Sequence, residues 1–222
     1  ILLSGLKGIG KATFIFHFIN YILSKDEEFK YSIKNFTIDE NNSSYQMTTK
    51  NIHPNIFLLN QNSSTEITKI EHIKKLFKFL NASTYKKNLK IIYIDNSENL
   101  NINSSNALLK ALEQPSPNTY FFINHNNSTF LKDTIKSRSV KFNIHFTFDE
   151  KIIIFDQIQK NYNFSISSNF SNNFLEFLSP GALLNYSIIL NNFNLANYED
   201  SLSCISILLD KYIINKDFEL LN

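Results

Sequence analysis

The sequence has little cysteine, glycine and arginine, and no long apolar run. Its one cysteine, Cys204, excludes a disulfide framework and a cysteine-based zinc site within one chain of 222 residues. No apolar run approaches the ~18 residues that a membrane-spanning helix needs, so no membrane partner is expected. A net charge of +2 is too small to indicate direct nucleic-acid binding.

Three of the four glycines are concentrated near the start of the chain, in the stretch from Gly5 to Lys11. The pattern Gly5-x-x-Gly8-x-Gly10-Lys11 follows an apolar strand and precedes an apolar helix, which is typical of a phosphate-binding loop. Glycine permits positive φ and lets backbone N–H groups approach an anion. We therefore predict a nucleotide site in which Lys11 reaches the terminal phosphates. The alternative is a tight strand-to-helix turn without a ligand.

Ala12 stands where such loops usually carry the Ser or Thr that holds Mg²⁺. Thr13 is one residue late, about 100° round the helix, and is a poor substitute. Both residues border the predicted phosphate site. We therefore expect ATP or ADP, if either binds, to be held with weak Mg²⁺ or none.

A second apolar run, residues 89–94, ends in Asp95. A carboxylate at the end of a strand beside a phosphate loop is the usual partner of Mg²⁺. Hydrolytic versions place a second carboxylate next to it, but that position is Asn96, which cannot act as a base. Glu98 is interpreted as a surface or capping residue. The sequence thus predicts possible nucleotide binding that is uncoupled from turnover.

Five apolar strand signals alternate with helical patterns, which predicts an α/β fold with a five-stranded parallel sheet in three layers. We assign residues 1–148 to this P-loop core and expect its N-terminus to be trimmed, because the chain starts inside a strand. Residues 149–194 form a small helical domain. We expect residues 195–222 to be the start of a third domain that is cut short. Residues 25–50 show no clear period and are predicted to be irregular, and His53 is expected to be a turn residue rather than a ligand.

Further elements follow from local patterns. Asn103-Ser104 is expected to cap the helix that Pro115 stops, and a strand is expected from Val140 to Phe146. Residues 149–160, 167–178, 181–192 and 198–214 are predicted to be helices.

The motifs together resemble the AAA+ clamp-loader ATPases. The most specific is the run Asn106-Ala-Leu-Leu-Lys-Ala-Leu-Glu-Gln-Pro115, followed by the triplet Ser137-Arg138-Ser139. The resemblance implies that residues 149–194 are a lid and 195–222 the start of a helical collar. It also implies that Asn124 is the polar sensor at the end of the fourth strand; an ordinary strand-end asparagine is the alternative.

The same resemblance implies a cytoplasmic role in DNA replication, within the DNA polymerase III holoenzyme. The implied partners are gamma/tau and delta clamp-loader subunits, with the sliding clamp and primer–template DNA reached through the complex. Three departures matter. A four-cysteine zinc module, frequent in the family between the first helix and the next strand, is replaced by residues 25–52, which contain neither Cys nor His, so no zinc is expected. Ser-Arg-Ser replaces Ser-Arg-Cys, and Leu184 replaces the lid's sensing arginine.

Arg138 is the only arginine beside 21 lysines. An arginine finger stabilises charge on a transferring phosphoryl group in a neighbouring subunit, and lysine lacks its planar fork. We therefore expect Arg138 to act in trans, exposed at the core edge past a short helix ending near Lys136. It should not be buried in a salt bridge within the chain. A structural salt bridge is the alternative.

Two functions remain open from the sequence. One is a subunit that does not hydrolyse ATP itself and completes a neighbour's ATP site with Arg138. The other is a catalytically active AAA+ ATPase such as a gamma/tau-like clamp-loader motor, which the intact Gly10-Lys11 and Asp95 favour.

Overall fold

The structure is a computed structural model, and it describes residues 1–59, 70–84, 89–127, 129–162 and 174–192. The chain divides into two compact units. The first unit consists of Ile1–Leu6 and Gly10–Ile144, and the second contains Lys7–Ile9 with the described residues from His145 onward. The predicted division at residues 148 and 194 stays a prediction, and residues 195–222 lie outside the described part.

The first unit is built on five parallel strands in the order β2-β3-β4-β1-β5. This confirms the predicted five-stranded parallel sheet. The strands are β1 (Leu2–Gly5), β2 (Ile56–Leu59), β3 (Lys90–Ile94), β4 (Thr119–Asn126) and β5 (Lys141–Asn143). The last strand is shorter than the predicted 140–146 segment.

Helices cover both faces of this sheet. The helices of the first unit are α1 (Lys11–Ser24), α2 (Ser43–Thr49), α3 (Ile70–Asn81), α4 (Ile102–Glu113) and α5 (Asp133–Lys136). A short 3₁₀ helix, Ser97–Asn99, lies between β3 and α4.

The side chains of β3 show why the sheet has two covered faces. Ile91 and Tyr93 pack with buried residues of α1 on one face. Ile92 and Ile94 pack with buried residues of α3 and α4 on the other face. Successive side chains of a strand point to opposite faces, so a run without polar residues buries both. The predicted three-layer arrangement is confirmed.

Two local predictions need correction. Residues 25–50 are not wholly irregular, because α2 lies within them and Ser32 and Thr37 form an antiparallel bridge. The N-cap of α4 is Asn101, whose side-chain oxygen accepts from the Ser104 N–H at 2.7 Å, so the predicted cap at Asn103-Ser104 is misplaced by two residues.

The second unit contains two described helices, α6 (Phe148–Tyr162) and α7 (Pro180–Asn192). Phe155, Leu175 and Leu183 form its buried apolar cluster. The predicted helix over 167–178 lies mostly outside the described residues, and the one over 198–214 lies wholly outside. Within the described ranges, no helix has both the length and the apolarity needed to cross a membrane.

Candidate nucleotide-binding site

The glycine loop begins at the carboxyl end of β1 and ends at the first residue of α1. Gly8 and Gly10 have φ of +80° and +95°, a left-handed backbone that side chains with a Cβ rarely adopt. Gly10 is the N-cap of α1 and has no side chain to cap it, so its neighbouring N–H groups remain available to an anion. Gly5 closes β1 and shows no positive φ. Two of the three loop glycines are therefore required by backbone geometry.

Lys11, the predicted phosphate ligand, is bonded to the loop's own backbone. Its Nζ donates to the carbonyl oxygens of Gly5 at 2.8 Å and Leu6 at 2.7 Å. The residue is 5% exposed. Burial lowers the pKa of Lys11, while the carboxylates of Glu98 and Asp95 oppose that shift. A phosphate that recruits this ammonium would replace its two carbonyl contacts.

Asp95 and Asn124 meet at the carboxyl ends of β3 and β4. The Asn124 Nδ2 donates to the Asp95 Oδ1 at 2.5 Å, and the N–H of Asn96 donates to the same oxygen at 3.0 Å. Asn96 takes a left-handed φ of 49°, which asparagine tolerates better than most residues. Beneath this pair, burial raises the pKa of Tyr93 well above its usual range, and the charge of Asp95 raises it further. The structure thus brings the predicted acid and the predicted polar sensor together.

Glu98 also belongs to this site, so its interpretation as a surface or capping residue is incomplete. Its Oε2 lies 3.8 Å from the His125 Nδ1 and accepts a weak hydrogen bond from the Asn126 N–H at 3.4 Å. Burial would raise the pKa of Glu98, but the contacts with His125 and Asn126 outweigh burial and lower it. No sequence pattern marked this residue. The signal that could have found it is its place three residues past Asp95, where a turn brings it back over the strand ends.

The apex of the loop, Lys7–Ile9, belongs to the second unit. In that unit the Ser179 hydroxyl donates to the Lys7 carbonyl at 2.6 Å, and the Gly181 N–H donates to the Gly8 carbonyl at 3.0 Å. A Cβ on Gly8 would lie 2.6 Å from the Ser179 Oγ and 2.7 Å from the Ala182 backbone nitrogen. Gly8 therefore meets a steric requirement as well as a φ requirement.

The donor set for a metal ion is small. Ala12 and Thr13 are both exposed at the start of α1, and Ala12 offers no oxygen from its side chain. Within the part of the chain that the structure describes, no three His, Cys, Asp or Glu side chains are grouped so as to hold a metal. Asp95 is the carboxylate best placed to approach Mg²⁺ on a phosphate. One carboxylate without a hydroxyl at residue 12 is a poor set of ligands for that ion.

His53 does more than the turn role predicted for it. The residue is 8% exposed, and its Nε2 lies 3.2 Å from the Ser44 Oγ. Its Nδ1 accepts from the Asn55 N–H at 3.2 Å. Both ring nitrogens therefore make hydrogen-bond contacts within the first unit, which a residue that only forms a turn does not need.

Arg138 lies two residues past α5, and its side chain is 38% exposed. One terminal nitrogen donates to the Glu113 Oε1 at 2.7 Å. The other donates to the Thr134 carbonyl at 3.1 Å and, at 3.4 Å, to the Ser137 hydroxyl. The position past the short helix and the exposure match the prediction. The prediction did not include an ion pair within the chain, and one exists between Arg138 and Glu113. The pair is exposed rather than buried, because the Glu113 side chain is 46% exposed.

The sheet order, the glycine loop after β1 and the acid after β3 together form a P-loop α/β core. A family model described as "DNA polymerase III, delta subunit" matches residues 1–147, and the chain belongs to this family.

The chain is also similar in sequence to individual subunits of bacterial DNA polymerase III. Over 96 residues the chain is 29% identical to DNA polymerase III subunit delta' of Pseudomonas aeruginosa, a match that spans 43% of this chain and 29% of that protein. Over 167 residues it is 28% identical to DNA polymerase III subunit gamma of Buchnera aphidicola subsp. Schizaphis graminum, covering 68% of this chain and 45% of that one. The chain thus spans less than half the length of these relatives.

Among solved structures, a gamma subunit-related protein of DNA polymerase III from Thermotoga maritima is similar over 72% of this chain and 44% of its own. The sequence identity is 18% and the TM-score is 0.46.

Proposed function

We propose that this chain is a delta-prime-like subunit of a bacterial clamp loader, and that it completes the ATP site of a neighbouring subunit with Arg138. The single observation that carries the proposal is the position of the chain's only arginine. It stands exposed past α5, in the triplet that follows the α4 motif, within residues matched by the family model. Loading of the sliding clamp on primer–template DNA in the cytoplasm is the role that this assignment gives to the whole complex.

The proposal also holds that this subunit does not hydrolyse ATP efficiently itself. Ala12 removes a Mg²⁺ ligand, Asn96 offers no general base, and Leu184 takes the place of a lid arginine. Each of these features weakens a part that turnover needs, while leaving the loop able to hold phosphates.

A second candidate is an active ATPase resembling the gamma/tau motor. The specific observation in its favour is the cluster of Lys11, Asp95, Glu98 and Asn124 at the strand ends, where Glu98 supplies a second carboxylate after Asn96. Steady-state ATP hydrolysis by the purified full-length protein separates the two candidates. We expect turnover far below the ~1–10³ s⁻¹ typical of enzymes. A rate within that range, abolished by Lys11→Ala, would establish the second candidate instead.

The arginine finger is tested in the reconstituted complex. Arg138→Ala should leave folding and assembly nearly intact, because an exposed ion pair contributes only about 0–1 kcal/mol. It should reduce DNA- and clamp-stimulated ATP hydrolysis at the one site that Arg138 completes, by the roughly 10³–10⁵ that such fingers contribute. Because other sites in the ring still turn over, the complex as a whole loses only that site's share of the rate.

Two controls accompany this measurement. Arg138→Lys keeps the charge and loses the fork, so it should restore little of the lost rate. Asp133→Asn breaks an exposed ion pair with Lys136 on the same short helix, 2.9 Å in length, and should behave as wild type. Equal rates for wild type and Arg138→Ala, at equal assembly, would show that Arg138 is structural. Gamma/tau and delta subunits of the same organism should co-purify with the full-length protein.

A further inference from the structure

The two most specific motifs of the chain meet in space through one ion pair. Glu113 is the last residue of α4 and the glutamate of its Leu-Leu-Lys-Ala-Leu-Glu run. Arg138 follows α5, 25 positions later in the sequence. Their side chains approach to 2.7 Å. We propose that Glu113 is the positioning residue for the Arg138 guanidinium, an inference that rests on the proposed function of Arg138.

The contacts fix the orientation of the guanidinium plane. Glu113 takes one terminal nitrogen and the Thr134 carbonyl takes the other, so rotation about the last bonds of the side chain would break at least one of them. A guanidinium has five N–H donors in a planar fork. The contacts with Glu113, Thr134 and Ser137 use at most three of them, which leaves Nε–H and one terminal N–H to meet a phosphoryl oxygen.

A purely structural role explains the pair poorly. Both side chains are more than a third exposed, and solvent screens such pairs until their contribution to stability is small. An exposed arginine without an anchor keeps nearly all its rotamer freedom. Such an arginine is in the rotamer that contacts the transferring phosphoryl group for only part of the time, whereas an anchored arginine is already oriented towards it. Orientation is therefore the larger effect of the contact.

The size of the effect follows from the rotamers. An arginine side chain carries about 2 kcal/mol of rotamer entropy, which converts to about 30-fold in rate as an upper limit. Glu113→Ala should lower the Arg138-dependent part of the complex's ATP hydrolysis by about 3-fold to about 30-fold. The change should fall on kcat, with KM for ATP unchanged, because Glu113 touches Arg138 and not the nucleotide. Glu113→Gln keeps an acceptor oxygen and should recover part of the loss.

The experiment compares the full-length protein as wild type, Glu113→Ala, Glu113→Gln, Arg138→Ala and the Glu113→Ala/Arg138→Ala double variant, each in the reconstituted complex. DNA- and clamp-stimulated ATP hydrolysis and assembly are measured for each. Positioning predicts that the double variant has the rate of Arg138→Ala alone, because Glu113 acts only through that arginine. Asp133→Asn is the matched control, because it removes an exposed carboxylate at the start of α5 that does not contact Arg138.

The outcomes separate the two ideas. If Arg138→Ala itself leaves the rate unchanged, the proposed finger is refuted. If Arg138→Ala lowers the rate but Glu113→Ala equals or exceeds wild type, the finger stands and positioning by Glu113 is overturned. Positioning is equally overturned if Glu113→Ala lowers the rate further in the Arg138→Ala background, since Glu113 would then act independently of the arginine.

Discussion

Replacing Glu27 should loosen the segment between α1 and β2, because one carboxylate there gathers several donors. Its Oε2 accepts from the Asn42 Nδ2 at 2.7 Å, the Ser43 Oγ at 3.1 Å and the Ser44 N–H at 3.2 Å. Its Oε1 accepts from the Ser44 hydroxyl. Asn42 and Ser44 are 1% and 2% exposed. A single carboxylate thus ties the start of α2 to the end of α1.

The cost of Glu27→Ala can be worked from these contacts. A hydrogen bond to a charged group contributes about 1.5–3 kcal/mol net. The exposed Ser43 hydroxyl finds water and is left out. Asn42 keeps the Phe29 carbonyl as an acceptor for its other N–H. The His53 Nδ1 accepts from the Asn55 N–H, so its Nε2 donates to the Ser44 hydroxyl and offers that hydroxyl no acceptor. Counting one hydrogen bond each for Asn42 and Ser44, at the lower value of about 1.5 kcal/mol, gives a loss of at least about 3 kcal/mol.

Urea unfolding and amide hydrogen exchange of the full-length protein measure this loss. If the segment is part of the cooperative unit, the free energy of unfolding falls by about 3 kcal/mol. If the segment opens by itself, the loss appears as faster exchange of the Ser44 amide, by about 150-fold at 1.4 kcal/mol per tenfold. Glu27→Gln keeps one acceptor oxygen, so its free energy of unfolding should fall by about half as much as that of Glu27→Ala.

The neighbouring acid provides the control. Glu28 is exposed, and Glu28→Gln should change stability by less than about 0.5 kcal/mol. The reasoning is refuted if Glu27→Ala and Glu28→Gln are indistinguishable in both measurements, since the hydrogen bonds of Glu27 would then contribute nothing.

Two further predictions concern the glycine loop and zinc. Gly10→Ala should cost about 1–2 kcal/mol from its φ alone, because nothing lies within 4 Å of the added Cβ. Gly8→Ala should cost at least about 1 kcal/mol more, since its Cβ also meets Ser179 and Ala182; equal urea midpoints for the two variants would contradict this. Elemental analysis of the purified protein should find no stoichiometric zinc, because a structural zinc needs four ligands and the 25–52 segment supplies neither Cys nor His. Zinc at one ion per chain would place the ligands elsewhere.

The elements that could be predicted from the sequence are those marked by local composition. The apolar run before Asp95 and the glycine loop before α1 are local signals, and both were located to within a residue or two. Helix α2 was missed because its seven residues, Ser43–Thr49, carry no apolar stripe, and tertiary hydrogen bonds hold it instead. The α4 cap was misplaced because three of the four residues Asn101–Ser104 are good cap formers, and only the backbone geometry selects among them.

The contacts that matter most at the candidate site join residues far apart in sequence. Glu98 meets His125 across the ends of β3 and β4, and Glu113 meets Arg138 at the edge of the core. Arg138 and the Asn106–Pro115 run that contains Glu113 are marked in the sequence, whereas Glu98 and His125 are not, and neither pairing has a sequence signal. Strand order decides the first pairing, since β3 and β4 must be neighbours for it to form. The packing of α4 against α5 decides the second.

The carboxylates that follow β3 also affect the phosphate loop. The charge of the Lys11 ammonium is offset by Glu98 and Asp95, and two backbone carbonyls accept two of its three N–H donors. A nucleotide would have to draw Lys11 from both carbonyls and would bring phosphate charge towards two carboxylates with no Ser or Thr hydroxyl at residue 12 to help place Mg²⁺ between them. Like charges brought together without a cation repel, so a triphosphate held at this loop would depend on Lys11, and on Asp95 to hold Mg²⁺ without a hydroxyl at residue 12.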